Sequence, residues 1–289
     1  MISAKIIADS VNPNNVRLTT IEATFNRYIL AEANTYREWS RNSASSRAIP
    51  VKKVLKQVWS NPAVPVHWGA NQAGMSAKAE LTGFRRWLSV KLFLWARIPI
   101  IIVVWLLSKL KLHKQVANRL IEPWVWHTAI ITSTTWSNML KQRDHEDAQP
   151  EFQVLARCIK QALAESTPQR LGWGDWHLPY VLPDDWSAVA SLEASDLDRD
   201  ENGNAIWPRY PEIALVGAAR CAAVSYVRQG EKRDAEKDIT LASRLTKSGH
   251  WSPFEHVAVA EENHVKDSNF DAGWKQLRKF FVGEDGRNG

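Results

Sequence analysis

Cysteine is nearly absent from this chain of 289 residues: Cys158 and Cys221 are the only two. Each sits in a helical pattern, outside any C-x-x-C or Cys/His cluster, so neither a disulfide framework nor a zinc site is indicated. They read as small core hydrophobes in a reducing compartment. The first residues, Met1-Ile2-Ser3-Ala4-Lys5, lack the basic region and apolar run of a secretory signal. The general-purpose signatures are missing too. There is no G-x-x-x-x-G-K-[ST], no G-x-G-x-x-G after a strand, no G-x-S-x-G and no H-E-x-x-H, which removes P-loop, Rossmann, serine-hydrolase and zincin readings as first choices. Internal repeats and low-complexity tracts are likewise absent. The long apolar stretch Leu92 to Leu107 is interrupted by Arg97 and weakened by Pro99, which leaves Ile98 to Leu107, about half the span a transmembrane helix needs. A buried core helix is the first expectation there, a subunit-contact helix the second, membrane attachment the third.

What the chain does have is apolar residues at 45%, charged residues at 24% and fifteen Trp, enough for a sizeable core and unlike disorder. A net charge of +6 favours an anionic partner, although a basic solvated surface explains it equally well. Strands are predicted over Lys5 to Ser10 and Arg17 to Phe25 around the turn Asn12-Pro13-Asn14-Asn15. Short helices are predicted near Arg27 to Arg37 and from Pro50 to Trp59, with Ser40 to Arg47 a loop between them. Helical pattern runs from about Ser76 to Lys111 and from Lys114 to Ile121, before Pro123. Trp124 to Thr135 is β-branched and aromatic, as a buried strand is. Helices fit Trp136 to Arg143, Pro150 to Ala164, Pro211 to Tyr226 and Glu231 to Ser248, the last capped by Gly249. The span of about 166 to 211 is irregular.

Three clusters carry chemistry. In Thr35-Tyr36-Arg37-Glu38-Trp39-Ser40-Arg41-Asn42-Ser43-Ala44-Ser45-Ser46-Arg47, guanidinium forks alternate with hydroxyls and amides, which is what a phosphate monoester needs, although a solvated polar loop reads the same way. Gly249-His250-Trp251-Ser252-Pro253-Phe254-Glu255-His256 offers two His and a Glu, but Pro253 breaks the face that would align them on a metal. Arg119 and Arg143 each end a predicted helix, where a dipole-favoured surface cation is the plain alternative. Two weaker features complete the set. Asp198 to Gly203 opens like a calcium loop but has Arg209 where Glu is required, and Trp173 to Pro179 is aromatic enough to stack on a ring or simply to pack.

Taken together the clusters resemble the flavin-dependent thymidylate synthase family. Of its hallmark R-H-R-x-x-S-x-N-E-x-S-x-R the chain keeps Arg37, Ser40, Asn42, Ser45 and Arg47, and departs at Thr35, Tyr36 and Ser43. The family's H-x-[ST]-P-F-E-H segment corresponds to His250 to His256. Its Asn-x-x-x-x-Arg and Ala-Gln-x-Glu correspond to Asn138, Arg143 and Ala148-Gln149-Pro150-Glu151. The segments RLTTIEATFNRYILAE, LHKQVANRLIEP and WHLPYV look like phage-type members, and the late position of the PFEH segment looks like a circular permutation. The resemblance implies an α/β (α+β) fold, a mixed or antiparallel sheet flanked by helices in the thymidylate synthase-complementing topology, as one domain over 1–289.

It also implies reductive methylation of deoxyuridine monophosphate (dUMP) to dTMP, with methylenetetrahydrofolate and NADPH as co-substrates and FAD as cofactor, in a cytoplasmic homotetramer without nucleic-acid or membrane partners. By position, dUMP would meet Glu32, Ser43, Ser45, Arg47, Arg119 and Arg143, with Arg143 catalytic at the uracil edge. FAD would meet Tyr36, Arg37, Thr132, Ser133, Thr134, Asn138, His250 and Ser252, and Trp274 to Lys279 would add basic groups. No metal is expected. The departures keep two alternatives open: a flavoenzyme installing another group on a pyrimidine nucleotide, and a non-catalytic nucleotide-binding descendant.

Overall fold

A computed structural model describes residues 1–190, 211–228 and 234–281. Along the chain come β1 (Ser3–Val11), β2 (Arg17–Asn26), α1 (Leu30–Ala33), β3 (Ser40–Ser43), α2 (Val51–Ser60), α3 (Gly83–Lys109) and α4 (Lys114–Ala117). They are followed by β4 (Trp126–Ser133), α5 (Ser137–Arg143), α6 (Pro150–Glu165), β5 (Gln169–Arg170), β6 (Trp176–His177) and α7 (Pro183–Ala190). The last elements are α8 (Pro211–Ala222), α9 (Ala235–Lys247), β7 (Ala258–Ala260) and β8 (Trp274–Gln276).

The five-stranded sheet runs β3-β4-β2-β1-β5, antiparallel except for the β1–β5 pair, and β6-β7-β8 form a second, antiparallel sheet. The fold is therefore mixed α/β with open sheets flanked by helices. Alternation along the strands explains the layers. Ala129 and Ile131 of β4 join Ile21 and Ala23 of β2 beneath Phe152, Leu155, Ala156 and Ile159 of α6. The intervening Ile130 points the other way, onto Cys221 and Val224. That opposite face also carries a buried polar seam. Thr20 Oγ1 lies 2.7 Å from Thr132 Oγ1 and 2.8 Å from His177 Nε2, while Thr132 Oγ1 lies 2.8 Å from His256 Nδ1. These bonds stitch β2 and β4 to β6 and to the turn after Ser252. Helix α8 is buried nearly throughout, and its Arg220 pairs with Asp185 at 2.5 Å and Asp238 at 2.9 Å.

Several expectations need correction. Ser40 to Ser43 is not loop: it is an edge strand in register with Ala129 to Thr132. An edge strand pairs on one side only and tolerates polar side chains, so the missing apolar period misleads there. The helix foreseen over Arg27 to Arg37 is a 3-10 turn plus a four-residue α1. The helix foreseen from Ser76 starts at Gly83, and it passes through Arg97 and Pro99 without ending. It is also not a core helix. Val104 is its one fully buried side chain, and Trp87, Trp95, Ile102 and Trp105 are each about half exposed. The chain through Pro123 continues as a 3-10 turn, Asn118–Trp124. In the irregular span, Trp176 is buried on β6, so the aromatic run packs; the Asp198 to Arg209 loop lies outside the described residues.

Candidate functional site

The polar run from Arg37 to Arg47 borders two hollows, one toward each end of β3. The first, about 190 Å³, is lined by Arg27, Leu30, Ser43, Ala44, Ser45, Ser46, Arg47, Arg119 and His127. Its floor is a loop held from outside. Ala44 N donates to Thr128 O at 2.8 Å and Ser45 N to Ser225 O at 3.1 Å. Asn118 Nδ2 donates to the carbonyls of Ser46 and Ile49 at 2.7 and 3.0 Å, and Lys114 Nζ to that of Ala48 at 2.7 Å. With the carbonyls of Ser46, Ala48 and Ile49 turned outward to α4 and the 3-10 turn, the loop leaves the N–H groups of Ser46 and Arg47 without a hydrogen bond among the described residues. Such free backbone donors beside hydroxyls are an anion-binding concavity.

The cations are arranged by one carboxylate. Glu122 Oε1 lies 3.2 Å from Arg27 Nε and 3.2 Å from Arg119 Nη1, so it holds both guanidinium groups. Arg47 is exposed and makes no hydrogen bond or ion pair among the described residues. Arg27 Nη1 donates to His127 Nδ1 at 3.0 Å, which puts the imidazole proton on Nε2, a buried atom with no partner among the described residues. Burial, with Arg27 beside it, pushes His127 down to about 3, so the ring is neutral. Three cations converge on this hollow, with the neutral His127 ring in its wall, which suits a small polyanion.

The second hollow, about 330 Å³, is lined by Arg37, Trp39, Arg41, Glu255, Ser268, Asn269, Gln276, Arg278 and Lys279. Here the hallmark serine is an anchor: Ser40 Oγ bonds with Asn269 and accepts from Gln276 Nε2 at 3.0 Å. Asn42 Nδ2 similarly ties the strand to Cys221 O at 3.0 Å. Arg41 Nη1 donates to the carbonyls of Ala33 and Tyr36, each at 3.0 Å. Arg278 pairs with Glu255. Arg37 is exposed and has no hydrogen bond or ion pair among the described residues.

Arg143 lies in neither lining. It pairs with Glu32, its Nε donates to Tyr36 OH at 2.6 Å, and its guanidinium lies 5.0 Å from the Phe152 ring centroid and 5.6 Å from that of Tyr36. It connects to the first hollow through α1, where Leu30 lines the cavity and Glu32 holds Arg143.

The residues singled out from sequence thus fall into groups. Ser43, Ser45, Arg47 and Arg119 meet in one cavity; Glu32, Tyr36 and Arg143 form a second cluster; Arg37 borders the cleft with Arg278 and Lys279 of the C-terminal segment. Thr132 and Ser133 are fully buried, with hydroxyls spent on Thr20 and His256 and on the carbonyls of Glu38 and Thr135. Thr134 Oγ1 accepts from Asp271 N at 3.1 Å. Asn138, His250 and Ser252 are exposed and line neither hollow, and His250 Nδ1 lies 2.9 Å from Ser248 Oγ. Sequence reasoning missed Arg27, Glu122 and His127. His127 carried a signal, as the polar residue set in the apolar run Trp124 to Ile131. Glu122 carried only its i,i+3 spacing from Arg119, and Arg27 carried none, since its partners Glu122 and His127 lie far along the chain. Among the described residues no cluster of His, Cys, Asp or Glu is built to hold a metal.

The sequence matches no protein-family model and no curated protein. Among the solved structures similar to it are two flavin-dependent thymidylate synthases from Helicobacter pylori complexed with FAD and dUMP. Each similarity covers 50% of this chain and 67% of the other, with a TM-score of 0.35, at 16% identity for one and 19% for the other.

Proposed function

We propose that this chain binds a nucleoside monophosphate in the smaller hollow and acts as a flavin-dependent thymidylate synthase. The observation that carries the reading is the convergence of Ser43, Ser45, Arg47 and Arg119 on one cavity, although Arg119 lies far along the chain from the others. The phosphate of dUMP takes Arg47, Arg119, the two serine hydroxyls and the free N–H groups of the loop. Arg143, fixed by Glu32 and the Tyr36 hydroxyl, is assigned to the uracil edge. A fixed cation there favours ionisation at N3 and makes C5 more nucleophilic.

FAD combines a pyrophosphate with two ring systems. The cationic lining of the larger hollow fits the pyrophosphate, with Arg37 and Arg41 as the holding groups and Arg278 and Lys279 across from them. Bound there, FAD supplies the hydride of a reductive methylation whose balance is dUMP, methylenetetrahydrofolate, NADPH and a proton giving dTMP, tetrahydrofolate and NADP. The protein contributes binding, orientation and the fixed charge at the base.

Three measurements test this. Purified protein loaded with FAD should absorb near about 450 nm and shift on adding dUMP, as a flavin in a preorganised site does. Arg47→Ala with Arg119→Ala should weaken dUMP binding by roughly a hundredfold, two charge-assisted contacts being lost. Arg143→Ala should abolish tritium release from C5-labelled dUMP and leave flavin bound. Protein that takes up no flavin, or an Arg143→Ala variant that still releases tritium, overturns the assignment.

A further inference from the structure

Helix α3 is long and apolar enough to cross a membrane, yet almost none of it is buried. One side is docked. Val104, Phe93, Ile100 and Ile101 pack on Val54 and Val58 of α2 and their neighbours. Trp124 Nε1 donates to Phe93 O at 3.1 Å, and Arg97 Nε donates to Val58 O at 3.2 Å. The other side presents Phe84, Trp87, Trp95, Ile98, Ile102 and Trp105 to solvent along its length, every one of them more than a third exposed. At 27 residues this ridge is about 40 Å long. A helix apolar on all sides belongs in an apolar medium, and the body of the protein covers only half of this one.

Charge identifies the cover. Besides the inward-turned Arg97, the helix carries Arg85, Arg86, Lys91 and Lys109 and no Asp or Glu at all, and Lys111 follows at its end. Two such ridges laid together would bring like charges face to face. An anionic surface that accepts both the cations and the Trp and Phe rings is a bilayer rich in acidic phospholipid, since indole rings settle at the headgroup level and long basic side chains reach the phosphates. Spanning would carry α2 and its exposed Lys52, Lys53 and Lys56 into the bilayer with α3, a cost that favours a helix lying along the surface. We propose that α3 lies in the plane of an anionic membrane, its outer ridge sunk into the headgroup and acyl boundary, and holds the protein there as a peripheral enzyme. The absence of a membrane partner, expected from the interruption at Arg97 and Pro99, is thereby reversed: the helix is continuous through both, and Arg97 is turned inward onto α2.

The test is flotation of the full chain with vesicles of phosphatidylcholine alone and of phosphatidylcholine mixed with phosphatidylglycerol, with sedimentation equilibrium run without lipid. Binding to the anionic vesicles should exceed binding to the neutral ones at least tenfold and fall with added salt. Ile102→Glu with Trp105→Glu should abolish it. Arg85→Glu with Arg86→Glu, which leaves the ridge apolar, should remove the preference for anionic lipid. Circular dichroism and dUMP binding of each variant report folding separately from attachment. No flotation with either vesicle, equal flotation with both, or undiminished binding by the Ile102 and Trp105 variant overturns the proposal. So does a lipid-free dimer that this variant dissociates, which would make the ridge a contact between copies.

Discussion

Glu122 shows how little of the site is built by its most visible residues. The serines and Arg47 are recognisable in the sequence, but the two other cations are aimed by this one carboxylate, which bonds both Arg27 and Arg119. Glu122→Gln keeps the shape and removes the charge, so both arginines should loosen. The dUMP dissociation constant should rise about tenfold, one charge-assisted interaction's worth, with thermal stability little changed; calorimetric titration measures it. Arg220 is the opposite case, a structural ion. It is 4% exposed and sits between Asp185 and Asp238. Arg220→Ala leaves two buried carboxylates facing each other, and the loss should be about 3–5 kcal/mol, as for other broken buried pairs. The check is the urea midpoint.

At the scale of elements, legibility followed the period of the pattern. The β1 and β2 strands, the β-branched run of β4, the amphipathic α6 and the cap of α9 at Gly249, with φ of +69°, all announce themselves locally. β3 does not, because its one partner strand lies on the far side of α2 and α3 and its own residues are polar. Helix α3 was legible as a helix and illegible in its placement, since composition states how apolar a face is and not what stands opposite. The same limit hid the grouping of the site: spacing in a motif gave Arg37 and Arg47 together, while β3 sends them to different hollows. The packing of α6 is the element on which the main core depends. Phe152 is fully buried between Ile21, Ile131 and the Tyr36 ring, so Phe152→Ala should cost about 3–5 kcal/mol in urea unfolding. It should also weaken C5 tritium release, because Arg143 rests on that ring.

For the whole molecule, pH acts through neutral histidines. His127, His177 and His256 are each buried and pushed down to about 3, burial being the largest cause. In the unfolded chain they bind protons below about 6.5, whereas in the folded chain they do not until near 3. Between those values the unfolded state holds more protons, so stability falls as pH falls, by up to about 1.4 kcal/mol per unit for each histidine. The paired carboxylates Asp9, Asp144 and Asp271 are held below their ordinary range, and their contribution is lost only under about pH 4. Urea midpoints should therefore decline between pH 7 and pH 5, before these three carboxylates contribute. A flat profile in that window would mean that the seam formed by Thr20, Thr132, His177 and His256 is open to water.

The order of the five-stranded sheet also sets a schedule. β3 has one neighbour, and that neighbour, β4, is synthesised long after it; the carbonyls of the Ser45 to Ile49 loop wait equally for Lys114 and Asn118. In a chain made in order, β1 and β2 precede every partner of the residues that would cradle the anion, and a two-stranded ribbon alone is marginal in water. β4 can take its place between β2 and β3 only once Ser133 has been made, and the Ser45 N–H gains its bond to Ser225 O later still, so the site is completed after all five strands have been synthesised.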